Sequence, residues 1–301
     1  MRNVGHQITT GIMLSVGALS RLLPWRGRIG LGRVLGRLLK VLSSKRAAVT
    51  ANNIHKAFPE LDDSRRMKIL NDSYENLGIV LAELVAVPSV TLADLHGRVE
   101  LIGLDPVIER QGSGLPTILL TAHYGNWEYG AMATGAVLGA PISIVYHPQS
   151  NASADRILNS YRTKFGNELI PMGNAARTMV KLLSNGGTIG IIVDQHGVAE
   201  KDPWITFMGR PTPTYEAPAA LALRFNAPIY YTVCERRDDG RYVVEFTSVP
   251  MDDLQNDRHG IIELTKRHVR MLEESIRKRP GLWSWQHRRW RHDPPPGVVV
   301  E

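Results

Sequence analysis

The chain has 301 residues, 43% hydrophobic and 22% charged, with a single cysteine, Cys234. This composition supports a sizeable core and excludes a disordered chain, a collagen-like fibre and a multispan membrane protein; one cysteine also excludes an intramolecular disulfide framework and a cysteine-cluster zinc site. The net charge of +7 is unevenly spread, since Met1–Pro59 carries ten Lys or Arg and no acid, Arg277–His292 carries six and no acid, and the body between them is net acidic.

Basic patches suit nucleic acid, anionic lipid headgroups or an acidic protein partner, so the residues around them decide. Ile8–Leu23 reads ITTGIMLSVGALSRLL. That is short of the roughly 20 apolar residues a membrane span needs, and it lacks the small-residue cleavage site of a removed signal peptide. The next stretch sets Arg26, Arg33, Arg37 and Lys40 among Ile29, Leu31, Val34, Leu35, Leu38 and Leu39. Spacings of three and four predict a helix with a basic side and an apolar side, suited to a membrane interface with anionic headgroups. The alternative is a basic amphipathic helix packed on the protein's own core. Gly27, Gly30, Gly32 and Gly36 form no GxGxxG and no P-loop, which excludes a nucleotide fold on that ground. Without GxSxG or HExxH, serine hydrolase and zinc protease chemistries have no foothold.

Arg46–Lys56 reads as helix, and Ser64–Val87 places Met67, Leu70, Tyr74, Leu77, Leu81 and Leu84 at helical spacing before Pro88 stops it. From Val99 the pattern changes to short apolar runs at Thr117–His123, Pro141–His147, Glu168–Met172, Thr188–Asp194, Pro228–Glu235 and Arg241–Phe246. Helices are predicted between them near Tyr129–Leu138, Ala154–Lys164, Ala175–Leu183, Ala217–Phe225 and His259–Arg277. Alternating strands and helices predict an α/β domain with a mostly parallel central sheet flanked by helices, and ligands at the carboxyl ends of its strands. The economical division is a helical, basic, membrane-associating region over 1–59 and an α/β domain over 60–301.

The first of these strands ends in His123, followed by Tyr124, Gly125, Asn126, Trp127 and Glu128. If Gly125 lets the loop fold back, Glu128 in the first helical turn can receive one imidazole N–H. The other ring nitrogen is then free as a general base toward a hydroxyl. A helix amino terminus beside it favours developing negative charge. Alternatively His123 caps the strand and Glu128 merely favours the helix start. Cys234 lies mid-strand and reads as an inert core thiol, and His147 and His196 end strands with no third ligand in view.

Seven stretches, in order, carry a resemblance. After an apolar amino terminus come AVTANNIHKAFPEL (48–61), SYENLG (73–78), HYGNWE (123–128), YRTKFGNELIP (161–171), VDQHG (193–197), ITFMGRPTPT (205–214) and WSWQHRRW (283–290). Together they resemble the bacterial late acyltransferases of lipid A biosynthesis, over nearly the whole chain. The wider superfamily includes glycerol-phosphate and lysophospholipid acyltransferases, which usually have Asp where this chain has Glu128 and Pro-Glu-Gly where it has Asp194 and Gln195. The actinobacterial phosphatidylinositol mannoside acyltransferases are close relatives.

The resemblance implies a glycerolipid acyltransferase-like fold with His123 as general base and Glu128 as its orienting partner. It implies that Asn126 and Trp127 shape the loop and that Arg162, with Lys164, contacts substrate phosphate or acyl carrier. Asp194 and Gln195 are expected to face the cleft, with Phe207 and Gly209 walling the reacting thioester; for Phe207 a buried structural role competes. The implied donor is acyl carrier protein, with acyl-CoA as the alternative, and the acceptor a glycolipid, alternatively a phospholipid or phosphatidylinositol mannoside. No metal or redox cofactor is required. Trp283–Trp290 then reads as a membrane-interface rim rather than a nucleic-acid surface, and the expected location is the cytoplasmic face of a bacterial inner membrane. A non-enzymatic alternative, a basic membrane-binding protein on the same scaffold, is favoured if His123 lies far from any cleft.

Overall fold

The computed structural model describes residues 2–301, with side chains from Gly5 onward. Four helices come first: α1 (Arg2–Leu22), α2 (Trp25–Leu42), α3 (Ser44–Ala57) and α4 (Asp63–Leu84). Asp62 caps α4 by accepting from the Arg65 backbone N–H at 2.8 Å. Two of the glycines that form no nucleotide loop, Gly32 and Gly36, are packing residues. Gly32 and Gly36, four apart on α2, meet Gly78 of α4; a Cβ at Gly36 would lie 2.1 Å from the Tyr74 carbonyl oxygen, and one at Gly78 2.1 Å from that of Gly32. Only a bare Cα allows the two helix backbones to approach this closely.

The outward face of α1 is mainly apolar, and that of α2 mixes apolar with basic side chains, Arg26, Arg33 and Arg37. Ile8, Ile12, Leu19 and Leu22 of α1 and Val34, Leu38, Val41 and Leu42 of α2 are all exposed. No helix among the described residues is long and apolar enough to cross a membrane. Trp25 anchors the start of α2 to the body: its Nε1 donates to the Gly240 carbonyl at 3.0 Å, and the Arg98 guanidinium lies 4.1 Å over its ring.

The α/β part follows, with α5 (Leu92–Arg98), β1 (Val99–Ile102), α6 (Asp105–Gly112), β2 (Thr117–Thr121), α7 (Trp127–Val137), β3 (Ile142–Tyr146), α8 (Ala152–Arg162), β4 (Glu168–Pro171), α9 (Ala175–Ser184) and β5 (Thr188–Ile192). Then come β6 (Trp204–Phe207), β7 (Arg210–Pro213), α10 (Ala217–Phe225), β8 (Ile229–Arg236), β9 (Tyr242–Ser248) and α11 (Arg258–Lys278). Seven strands form one sheet in the order β1-β9-β8-β2-β5-β3-β4, while β6 and β7 form a separate hairpin. Every neighbouring pair of the sheet is parallel except β8 and β9.

Helices cover both faces, so two apolar clusters form. Along β2, Ile118, Leu120 and Ala122 enter one cluster and Leu119 the other, as the period of two requires. Thr121 and His123 continue the Leu119 face. That alternation aims His123 at whatever lies between the sheet and α7.

Candidate active site

Registry brings the first two groups together. β2 and β5 are parallel neighbours with Thr121 opposite Ile192, so His123 and Asp194, each two residues further on, leave the sheet side by side. Asp194 Oδ1 lies 2.8 Å from His123 Nδ1, and Oδ2 accepts from the His123 backbone N–H at 2.9 Å and from Trp283 Nε1 at 2.8 Å. The carboxylate is 3% exposed, so these donors are what permit its charge there. Burial alone raises the Asp194 carboxyl, but the imidazole and the three hydrogen bonds outweigh it and hold the group below its ordinary value. Burial likewise pulls His123 down, but the Asp194 carboxylate, and behind it the charge of Glu128, raise it on balance. With Nδ1 engaged, Nε2 is the ring nitrogen left for a substrate.

The expected partnership of His123 with Glu128 is therefore replaced. The carboxylate on the ring belongs to Asp194, and Glu128 turns to Arg162, whose Nη2 donates to Oε1 at 2.6 Å and Nε to Oε2 at 3.0 Å. The cause is position: Glu128 sits in the first turn of α7, facing the last turn of α8, while Asp194 is the direct continuation of the adjacent strand. Arg162 also donates to Asn159 Oδ1 at 3.3 Å.

The loop between β2 and α7 is held from several sides. Gly125 has φ +60, and a Cβ there would lie 1.7 Å from the Cys234 carbonyl oxygen, so glycine is required at this fold-back. Asn126, wholly buried, caps α7 by accepting from the Tyr129 N–H at 3.0 Å and donates through Nδ2 to Glu83. Burial pushes the Glu83 carboxyl up to about 7 against the hydrogen bonds from Tyr242 and Asn126. Asn76 Nδ2 donates to the Gly125 carbonyl at 2.9 Å, Ser73 Oγ to that of Trp283 at 2.9 Å, and the Ser284 N–H to that of His123 at 2.9 Å. Sequence reasoning gave no role to Trp283 on Asp194, or to Ser73, Asn76 and Glu83. The signal available for the last three was polar residues on the buried face of an otherwise apolar helix.

A cavity of about 530 Å³ opens beside His123, within the usual range for small-molecule sites. Trp127, whose ring meets that of His123 edge-on at 5.1 Å, lines it with Glu128, Arg162 and Gln195. Away from His123 the walls are mainly apolar, with Leu119, Met132, Ile142, Ile144, Val244 and Phe246, and Thr134 and Asn167 are polar members of the lining. Gly190, in the middle of β5, leaves room along the floor. From the level of Ile142, which pairs with Thr188 opposite Thr117, to His123 is roughly 20 Å at the rise of about 3.3 Å per residue.

Three expected site residues lie elsewhere. Lys164 donates to the carbonyls of Val87, Pro88 and Val90 at 3.0, 3.0 and 2.7 Å and fastens the segment after α4, away from the cavity. Phe207 is fully buried against Trp283 and Trp290, so of its two expected roles the structural one holds. Gly209 lies in the β6–β7 turn, where Met208 and Gly209 both have positive φ, the geometry of a type I′ hairpin. Cys234 lines the cavity but is buried, and burial pushes its thiol well up, which keeps it protonated.

Proteins similar to this chain are named as acyltransferases. A Haemophilus influenzae lipid A biosynthesis acyltransferase is 24% identical over 85% of this chain and 80% of its own length. An Escherichia coli lipid A biosynthesis lauroyltransferase is 22% identical over 90% and 88%, and a Mycobacterium tuberculosis phosphatidylinositol mannoside acyltransferase 22% over 73% and 70%. The family model described as bacterial lipid A biosynthesis acyltransferase matches residues 3–292, and the chain belongs to that family.

Proposed function

We propose that the protein transfers a fatty acyl chain from an acyl carrier protein thioester to a hydroxyl of a lipid A precursor, with His123 as general base, at the cytoplasmic face of the bacterial inner membrane. The observation that carries this reading is the His123–Asp194 pair at the solvent end of a deep apolar cavity, in a chain of this family. The acyl chain fits the apolar depth, leaving its thioester carbonyl near His123. Nε2 takes the hydroxyl proton as the oxygen attacks that carbonyl. The tetrahedral intermediate collapses, the C–S bond breaks, and the leaving thiolate takes the proton back from the imidazolium. Asp194 keeps Nδ1 protonated and stabilises the imidazolium charge; Glu128 adds a second, more distant negative charge and orients Arg162 toward a phosphate of either substrate.

Exposed apolar faces on α1 and α2, interspersed with Arg26, Arg33 and Arg37, support an interfacial position on an anionic membrane. The basic amino-terminal and carboxyl-terminal stretches would also steer an acidic carrier protein. A second reading, acylation of a phosphatidylinositol mannoside, is favoured by the mycobacterial relative. Purified protein offered acyl carrier protein and coenzyme A thioesters, each with a lipid A precursor, a lysophospholipid and a mannoside, separates these readings. Carrier-dependent acylation of the precursor is expected. Acylation of the mannoside alone moves the protein to the second reading.

A further inference from the structure

A second cavity, of about 490 Å³, lies where α2 gives way to α3, and it is basic. Leu42, Ser43, Ser44, Lys45 and Arg46 line it from one side and Arg288, far away in sequence, from the other. The carboxyl-terminal segment is held there by specific bonds. Arg46 Nη1 donates to the Gln286 carbonyl at 3.1 Å, and Asn53 Nδ2 to those of Trp285 and His287 at 2.9 and 2.6 Å. No Asp or Glu is in the lining, and among the described residues neither Lys45 nor Arg288 makes an ion pair or side-chain hydrogen bond. Like charges gathered without a counter-charge repel one another unless an anion sits between them. At the rim the fold places an apolar side chain in water: Leu42 is 79% exposed, and its neighbour in sequence, Val41, is 72% exposed. A cationic hollow beside exposed aliphatic groups matches a molecule whose phosphate and hydrocarbon adjoin.

We propose that this cavity binds the phosphate of a lipid headgroup at a site separate from the His123 cavity, with Lys45, Arg46 and Arg288 as charged donors, the Ser43 and Ser44 hydroxyls beside them, and Val41 and Leu42 in the hydrocarbon. It deepens the membrane-surface reading into a discrete site and does not depend on acyl transfer. Arg46 has a structural bond as well, so the variant that tests the site is Lys45→Ala/Arg288→Ala.

The probe is dihexanoyl phosphatidic acid, held below its micelle concentration so that diffuse surface attraction does not count, titrated calorimetrically into the full-length protein. Saturable one-to-one binding is expected, weakened about ten-fold or more in Lys45→Ala/Arg288→Ala because a charge-assisted contact is worth at least that factor. Arg177→Ala/Lys181→Ala removes two exposed cations of α9, outside the cavity and outside the membrane-facing helices, and should stay within about two-fold on the same reasoning of short-range contact. Leu42→Ser should weaken the lipid but leave inorganic phosphate unchanged. Equal losses in the two double variants, or no saturation, overturn the site. Inorganic phosphate binding as tightly as the lipid overturns the lipid source. Loss of binding in His123→Ala moves the ligand to the catalytic cavity, and acyl carrier protein, but not the lipid, responding to Lys45→Ala/Arg288→Ala makes the surface a protein-docking one. Each of these contradicts the proposal. Vesicle binding of the wild type tests membrane association separately, so the two ideas fail independently.

Discussion

Replacing Asp194 by Asn tests which carboxylate serves His123. Asp194 accepts from the His123 ring, the His123 backbone N–H and Trp283 Nε1. An amide of the same shape has one acceptor oxygen for these three donors, so its NH2 either faces an N–H or donates to His123 Nδ1 and moves the ring proton to Nε2, where the base is needed. A carboxylate hydrogen bond from a buried donor is worth roughly 1.5–3 kcal/mol, and the imidazolium loses its nearest counter-charge too. Turnover should fall by about 10²–10⁴, the range for losing effective general-base help. The pH dependence carries a second signature. A general base at His123, as proposed, works only as neutral imidazole, and Asp194 holds His123 above its ordinary value. Wild-type kcat/KM should therefore fall with falling pH from above about 6.5, the ordinary histidine value, and the residual activity of Asp194→Asn should persist to lower pH. Glu128→Gln should move this limb less, because Glu128 acts on the ring by charge from a distance. Steady-state transfer of labelled acyl chains across a pH series, with circular dichroism to check folding, reads both effects. If Asp194→Asn keeps turnover within about three-fold while Glu128→Gln loses as much as a general base supplies, the partnership seen in the structure is not the catalytic one.

Three further predictions concern the binding and packing surfaces. Arg162→Ala should raise the apparent KM for one substrate much more than for the other, by about ten-fold or more for a lost charge-assisted contact, with Arg162→Lys restoring only part because a point charge cannot bind bidentately; varying donor and acceptor in turn identifies the substrate, and unchanged constants remove Arg162 from binding. Gly36→Ala gains about 1 kcal/mol of helix propensity but drives a methyl to 2.1 Å from the Tyr74 carbonyl oxygen. Overpacking of roughly 1–3 kcal/mol or more should therefore win and lower the denaturation midpoint; a raised midpoint would show that α2 and α4 separate easily. Gly190→Val should narrow the cavity beside Ile142 and Ile144, whose side chains lie 3.4 and 3.3 Å from the Cβ position of an added side chain, and shift donor preference to shorter acyl chains in a competition assay; an unchanged chain-length profile places the acyl chain elsewhere.

The α/β order was legible because each central strand is an uninterrupted apolar run and each helix repeats at 3.6 residues. β1 was missed: it has four residues and carries Glu100. The β6–β7 hairpin was missed because Pro211 and Pro213 break the strand pattern, although a two-stranded hairpin tolerates them at its edge. His123 was visible as the end of a strand, but its carboxylate was not. Asp194 is 71 residues away, and only the parallel pairing of β2 with β5 brings it alongside, a register that no local spacing encodes. Glu128 drew attention because it is near in sequence, and the fold spends that nearness on Arg162. Gly209 read as a cleft wall, and Phe207 as wall or core, because the contacts of Phe207 with Trp283 and Trp290 and the turn geometry at Gly209 are set by the tertiary structure.

The most direct test is single-turnover acyl transfer from acyl carrier protein to a lipid A precursor by wild-type protein and by His123→Ala, each reconstituted in anionic lipid nanodiscs and matched for folding. The predicted result is transfer by the wild type and a rate lower by about 10²–10⁴ in His123→Ala, with lipid association intact because α1 and α2 are untouched. Transfer at near-wild-type rate in His123→Ala would contradict the assignment of the base. No transfer to the precursor by the wild type with any acyl thioester would contradict the activity itself.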